Sequence, residues 1–240
     1  DYIIIDTMLY IVLPTFFKSF DLRFALFTKT LDEIYKSNYR CIIIDDSSQK
    51  IHQKILEKNY KYNFIVQKQI NIDGKSGAIR QGIKLAVSNS NNFENDFIAF
   101  QEPEKVDMIN HYEKILQRLN ARTICVPKRT NKSFKTYPSD QYHLEKFINK
   151  YISMKQNLNF DWTFGPIIFP ISLYKYWTDC NYESYNGQIG PLFKCLRDKH
   201  YLIEVEIDYI HNKLQKEKEE EDINFMKKRV DQLNYWIRNY

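Results

Sequence analysis

Residues 41–44 read Cys-Ile-Ile-Ile and are followed at once by two carboxylates, Asp45 and Asp46. A run that is apolar at every position, with no polar alternation, must be covered on both faces, which is the condition of a strand inside a parallel sheet. Four further runs of this kind occupy the first half of the chain, at 9–13, 64–66, 97–100 and 123–126. Amphipathic stretches lie between them. Phe24, Phe27, Leu31, Ile34 and Tyr35 recur at helical spacing, as do Ile79, Ile83, Ala86 and Val87 behind Ser76 as a cap, and Ile109, Tyr112, Ile115, Leu116 and Leu119. Strands alternating with helices predict an α/β fold with right-handed crossovers and a mostly parallel, Rossmann-like sheet flanked by helices.

Such a sheet binds ligands at the carboxyl ends of its strands. Those ends read Pro14-Thr15, Asp45-Asp46-Ser47-Ser48, Gln67, Gln101-Glu102-Pro103-Glu104 and Lys128-Arg129. Two acidic clusters at the ends of two strands form the strongest functional signal in the chain.

The second half is less regular. A helix is expected over 141–151, an aromatic-rich loop from Asp161, an apolar strand at 167–169, a loop over 182–191 around Gly187 and Gly190, and a strand at 201–207. From about Lys213 one charged helix is expected, with Ile223, Met226, Val230, Leu233 and Ile237 forming a narrow apolar stripe. Docking on its own domain is the first reading of that stripe; homo-oligomer formation through the C-terminal helix is the second. No linker interrupts the chain. A single domain is expected over 1–240, with a ligand-binding half at 9–130, an acceptor-side half at 131–212 and the C-terminal helix at 213–240.

Composition narrows the partners. The formal net charge is +5, but basic and acidic residues are interleaved. That balance favours a small anionic ligand over nucleic acid, which would call for a separate basic stripe. The four cysteines, Cys41, Cys125, Cys180 and Cys195, are far apart. Neither a zinc site nor a disulfide framework is expected, and a reducing, cytoplasmic setting fits. No apolar run is long enough for a transmembrane segment, and the first residues have neither a basic region nor a small-residue cleavage site, so they do not read as a signal peptide.

The order of motifs adds a resemblance. Leu9-Tyr10-Ile11-Val12-Leu13-Pro14-Thr15, then Cys41-Ile42-Ile43-Ile44-Asp45-Asp46-Ser47-Ser48, then Gly74-Lys75-Ser76-Gly77-Ala78-Ile79-Arg80-Gln81-Gly82 resembles the amino-terminal half of glycosyltransferase family 2 and related GT-A enzymes. In that family the first strand ends in a Pro-Thr-type turn and the second in Asp-Asp-Gly-Ser or Asp-Asp-Ser-Ser. A Gly-x-x-x-Ala-Arg-Asn-x-Gly helix start follows, then a strand running into a metal-binding Asp-x-Asp. The similarity covers about residues 9–130.

The resemblance implies a GT-A fold and a hexosyltransferase-type glycosyltransferase. It would move a sugar from a nucleotide-diphosphate donor, UDP- or GDP-linked, to a glycan or small-molecule acceptor. It assigns Pro14, Thr15, Asp45 and Asp46 to the nucleotide, Asp45 to the base and Asp46 to the ribose region. Gly77 and Arg80 fall to the donor phosphates, although Arg80 reads equally as a solvated helix residue, and Gln81 replaces the usual Asn. Gln101 falls to the sugar or ribose. Glu102 and Glu104 stand where Asp-x-Asp would hold Mn2+ or Mg2+, with His211 as a further ligand. The longer Glu arms leave open a motif that no longer binds metal. The carboxylate pair that serves inverting relatives as a base is missing from 185–191, so Asp161 and Glu183 are the remaining candidates. The alternative is a catalytically inactive glycosyltransferase-like binding protein. A sugar-1-phosphate nucleotidyltransferase would need a Gly-rich basic loop after the first strand, and Pro14-Thr15-Phe16-Phe17-Lys18-Ser19 contains no glycine.

Overall fold

A computed structural model describes residues 7–70, 74–179, 186–220 and 222–239. The described residues form seven strands: β1 Leu9–Thr15, β2 Arg40–Asp45, β3 Ile65–Lys68, β4 Phe97–Phe100, β5 Thr123–Arg129, β6 Ile167–Pro170 and β7 Tyr201–Ile207. They make one sheet in the order β3-β2-β1-β4-β6-β5-β7. The β3-β2-β1-β4 part is parallel, and β6 runs antiparallel to both β4 and β5. The expected α/β sheet is therefore present, and all five apolar runs of the first half are strands in it. Ile11, Val12, Leu13, Ile42, Ile43, Ile44, Ile98, Ala99 and Phe100 are fully buried, as burial on both faces requires.

The helices are α1 Leu22–Lys36, α2 Gln49–Asn59, α3 Gly74–Asn89, α4 Tyr112–Leu116, α5 Asn131–Phe134, α6 Ser139–Gln156, α7 Lys175–Thr178, α8 Asn186–Arg197, α9 Lys213–Glu220 and α10 Ile223–Asn239. Where Ile109, Tyr112, Ile115, Leu116 and Leu119 predict one helix, the chain forms a 3-10 turn, Val106–His111, continued by the short α4. The chain forms two compact units: the residues up to Cys125 with Pro166–Ile203, and Val126–Gly165 with Glu204–Tyr240.

In the first unit α3 lies on β1 and β2. Gly82 permits the approach: a Cβ there would meet Val12 Cγ1 at 2.3 Å and Ile44 Cγ1 at 3.3 Å. The glycines of segment 182–191 predict a loop. Residues 180–185 lie outside the described part, but from Asn186 onward the chain is helical, with Pro191 inside α8. Gly187 is there for packing, since a Cβ would sit 2.2 Å from Ser76 Oγ and 2.7 Å from Ser76 Cβ.

In the second unit, two helices replace the single C-terminal one, and the buried face of α10 differs from the predicted stripe. Ile223, Val230 and Ile237 are exposed, whereas Gln232 and Trp236 are buried. Phe225, Arg229, Gln232 and Trp236 carry the same three- and four-residue spacing set over by one position, about 100° around the helix. Arg229 Nη2 lies 3.7 Å from Glu145 Oε1 on α6, so α10 docks through a Trp and an ion pair that the aliphatic stripe leaves out.

Candidate functional site

The end of β2 separates its two carboxylates. Asp45 is the last residue of the strand and is fully buried. Its Oδ1 accepts from Thr15 Oγ1 (2.9 Å), Ser47 N (3.1 Å) and Ser47 Oγ (2.5 Å). Its Oδ2 lies 2.8 Å from His52 Nδ1 and 3.6 Å from Lys68 Nζ. Buried charge is tolerated only with such full pairing. Asp45 thereby ties together the ends of β1, β2 and β3 and the start of α2. Asp46, one residue later, is exposed; its N–H donates to Thr15 O at 2.9 Å and its carboxylate has no partner among the described residues. It is the carboxylate that can reach a ligand. Pro14 is half-buried beside it.

The start of α3 follows residues 71–73, which lie outside the described part. Gly74 opens the helix at φ +57°, in the left-handed region that favours glycine. Ser76, Gly77 and Ala78 are buried, and Arg80 is half-buried further along the helix.

After β4 the segment 101–104 turns sharply. Gln101 is fully buried; its Oε1 accepts from Tyr112 Oη at 2.5 Å and its Nε2 donates to Lys105 O at 3.1 Å. It braces the turn from below. Glu102 is ion-paired with Lys75 from α3, and its Oε2 is 3.9 Å from Lys105 Nζ. Burial alone would raise the Glu102 carboxyl, but the Lys75 and Lys105 ammonium groups more than reverse this, bringing it down to about 2. Glu104 is gripped by Arg23 from the first turn of α1, Nε to Oε1 at 3.1 Å and Nη2 to Oε2 at 3.3 Å. Each carboxylate of this segment is thus matched by a basic side chain. That Lys75 and Arg23 pair with this turn has no local sign in the sequence, since they stand 27 and 81 residues from the acids they meet.

In the second unit Asp161 is buried and held on both oxygens. Oδ2 accepts from Arg129 Nε at 2.7 Å, and Oδ1 from Arg129 Nη2 at 2.9 Å and Asn149 Nδ2 at 2.8 Å. Arg129 also reaches Glu145 Oε2 at 2.7 Å, and its guanidinium lies among the rings of Phe134, Tyr137 and Phe164. Burial pushes the Asp161 carboxyl up, yet Arg129 holds it below the ordinary carboxylate range. A general base needs a proton affinity raised toward neutrality, and this arrangement acts in the opposite sense. His211 is also buried; Nε2 lies 2.8 Å from Glu219 Oε2, and its ring stacks on Tyr137 at 4.3 Å. Glu183 lies outside the described residues.

A Mg2+ or Mn2+ ion takes about six oxygen ligands, several of them anionic or water. Among the described residues no three His, Cys, Asp or Glu side chains come together as a metal group. Glu102 and Glu104 meet lysine and arginine, and His211 pairs with Glu219. This donor set does not fit a divalent cation.

The sequence model of glycosyl transferase family 2 matches residues 10–176, more than half of the chain. The chain belongs to glycosyl transferase family 2. Its general activity is accordingly glycosyl transfer from a nucleotide-activated sugar. A comparison with curated proteins finds no match. Among solved structures the chain is similar to 4-diphosphocytidyl-2C-methyl-D-erythritol synthase from Anaerococcus prevotii DSM 20548, with a TM-score of 0.53 at 10% identity, covering 88% of this chain and 92% of that one. At that identity the likeness shows the fold alone. A second is S. aureus TarS 1–349, with a TM-score of 0.48 at 15% identity, covering 82% of this chain and 58% of that one.

Cys41, Cys125 and Cys195 are buried, and Cys180 lies outside the described residues. Among the described residues no helix is long and apolar enough to cross a membrane.

Proposed function

We propose that this family 2 domain holds a nucleotide-diphosphate sugar along the carboxyl ends of β2, β1 and β4 and transfers the sugar to an acceptor. The observation that carries the reading is Asp46: an exposed carboxylate without a partner among the described residues, standing immediately after a fully buried strand end. Its role is to accept hydrogen bonds from the nucleoside's base or ribose. β2 and β4 flank β1, so their ends are two strand spacings apart, about 10 Å. That distance matches the reach of a nucleoside diphosphate from base to phosphate, and at the β4 end stand the cationic Lys75 and Lys105. The donor in this reading is a UDP- or GDP-sugar.

The test is calorimetric titration of UDP and GDP into the chain and into an Asp46→Ala variant. Loss of the ribose or base contact weakens binding about tenfold, the effect of one charge-assisted hydrogen bond. Equal affinity of variant and parent would remove Asp46 from the site. A second reading, donor binding without turnover, is favoured by the commitment of Asp161 to Arg129. Release of free nucleotide from UDP- or GDP-sugar, followed by mass spectrometry, separates the two.

A further inference from the structure

Glu102 and Glu104 carry two negative charges, and the basic side chains paired with them, Lys75, Lys105 and Arg23, carry three positive ones. A site built to collect a divalent cation presents an excess of negative charge and open oxygen lone pairs. Here both carboxylates are already matched by basic side chains. Glu102 Oε1 is already taken by Lys75, and Oε2 is buried without a hydrogen-bond partner while facing Lys105 at 3.9 Å. An incoming dication would have to displace an ammonium group and then remain beside it. An incoming diphosphate faces the reverse situation, since it offers the two ammonium groups more anionic oxygens than the single carboxylate of Glu102 does.

We propose that this chain neutralises the diphosphate of its donor with the ammonium groups of Lys75 and Lys105 in place of a divalent metal ion. Glu102 acts as a stand-in anion that occupies the two ammonium groups until the phosphates displace it. The inference rests on the donor reading above. The geometry supplies the preorganisation it needs. Lys75 belongs to the first turn of α3, and that turn is clamped by α8 where Gly187 meets Ser76. Lys105 belongs to the turn braced by Gln101 and Tyr112. Lys75 is about one-third exposed, so it can exchange partners, whereas Lys105 is 13% exposed and more firmly placed. Arg23 plays a different part: its two bonds to Glu104 fix the far side of the same turn. The products of glycosyl transfer carry a nucleoside diphosphate whose new terminal charge the two lysines would balance.

The experiment is calorimetric titration of UDP and of GDP into the full chain, once in EDTA and once in excess Mn2+, with thermal melts confirming that each variant is folded. The expected result is the same affinity in both buffers within about twofold, and a loss of about tenfold in Lys75→Ala and in Lys105→Ala in either buffer, with Lys75→Arg largely retained. Glu102→Gln frees the lysines and binds nucleotide as well as the parent or up to about tenfold better. A metal-ligand role demands the opposite, a loss of Mn2+-dependent binding in Glu102→Gln. Binding that appears only with Mn2+ overturns this inference and leaves the donor reading standing. If neither nucleotide binds in either buffer, both fall together.

Discussion

His52 Nδ1 lies 2.8 Å from Asp45 Oδ2, joining the first turns of α2 to the end of β2 beneath the exposed Asp46. The pair is buried and shares Asp45 with Thr15, Ser47 and Lys68. Removing Asp45 leaves these donors without an acceptor, and breaking a buried pair from one side is costly. Asp45→Ala is therefore expected to lose about 3 kcal/mol of stability. Asp46→Ala is expected to stay within about 0.5 kcal/mol of the parent, as exposed residues without partners do, while losing nucleotide affinity. Urea unfolding of the two variants side by side checks this division, and equal destabilisation would contradict it.

Asp161 invites the same comparison. Its carboxylate closes an ion pair with Arg129 that has almost no solvent exposure and extends to Glu145. Asp161→Asn keeps the shape but leaves the buried guanidinium less compensated, with an expected loss of about 3 kcal/mol. If Asp161 served as a base, the substitution would abolish turnover while leaving the midpoint of thermal unfolding unchanged. Thermal melts and product assays on one preparation distinguish the two roles.

Much of the sheet is legible in the sequence because continuous apolar runs such as 41–44 have one comfortable place, inside a sheet covered on both faces. The exceptions are instructive. α2 escapes notice because only Ile51, His52 and Ile55 of its eleven residues are buried, too few to show a period. The glycines of 182–191 suggest a loop, but Gly187 serves to let α8 approach Ser76, a requirement set by a partner far along the chain. The aliphatic stripe of α10 is visible in sequence, yet Trp236, one position off that stripe, buries more surface and sets which way the helix faces. At the strand ends, the positions of Asp45, Asp46, Glu102 and Glu104 could be read from the chain. Their partners could not, since Lys75 is 27 and Arg23 is 81 residues from the acids they meet.

The two close-packed glycines make separable predictions. A methyl group on Gly82 would collide with Val12 under α3, and overpacking of this kind costs about 1–3 kcal/mol. Gly82→Ala is expected to lower stability without altering nucleotide affinity beyond what unfolding explains. A methyl group on Gly187 would collide with Ser76, next to Lys75. Gly187→Ala is expected to shift the first turn of α3 and weaken UDP or GDP binding even at temperatures where the variant is fully folded. Denaturant midpoints and titrations measured on both variants test the contrast.

The ion pair of Glu102 also sets a pH dependence. Its folded carboxyl is lowered to about 2 from an ordinary value near 4.5, so the unfolded chain binds the proton more readily than the folded one. Stability from this group is present in full above about pH 4.5 and is lost as the pH falls toward 2. Asp161, also lowered, contributes in the same direction, so the chain as a whole is expected to weaken in acid. Glu102→Gln removes one titrating group and leaves the other. Its stability should accordingly fall less steeply than that of the parent between about pH 4.5 and 2, measured by urea unfolding at closely spaced pH values. Parallel curves for parent and variant would show that Lys75 and Lys105 do not hold Glu102 ionised in the folded chain.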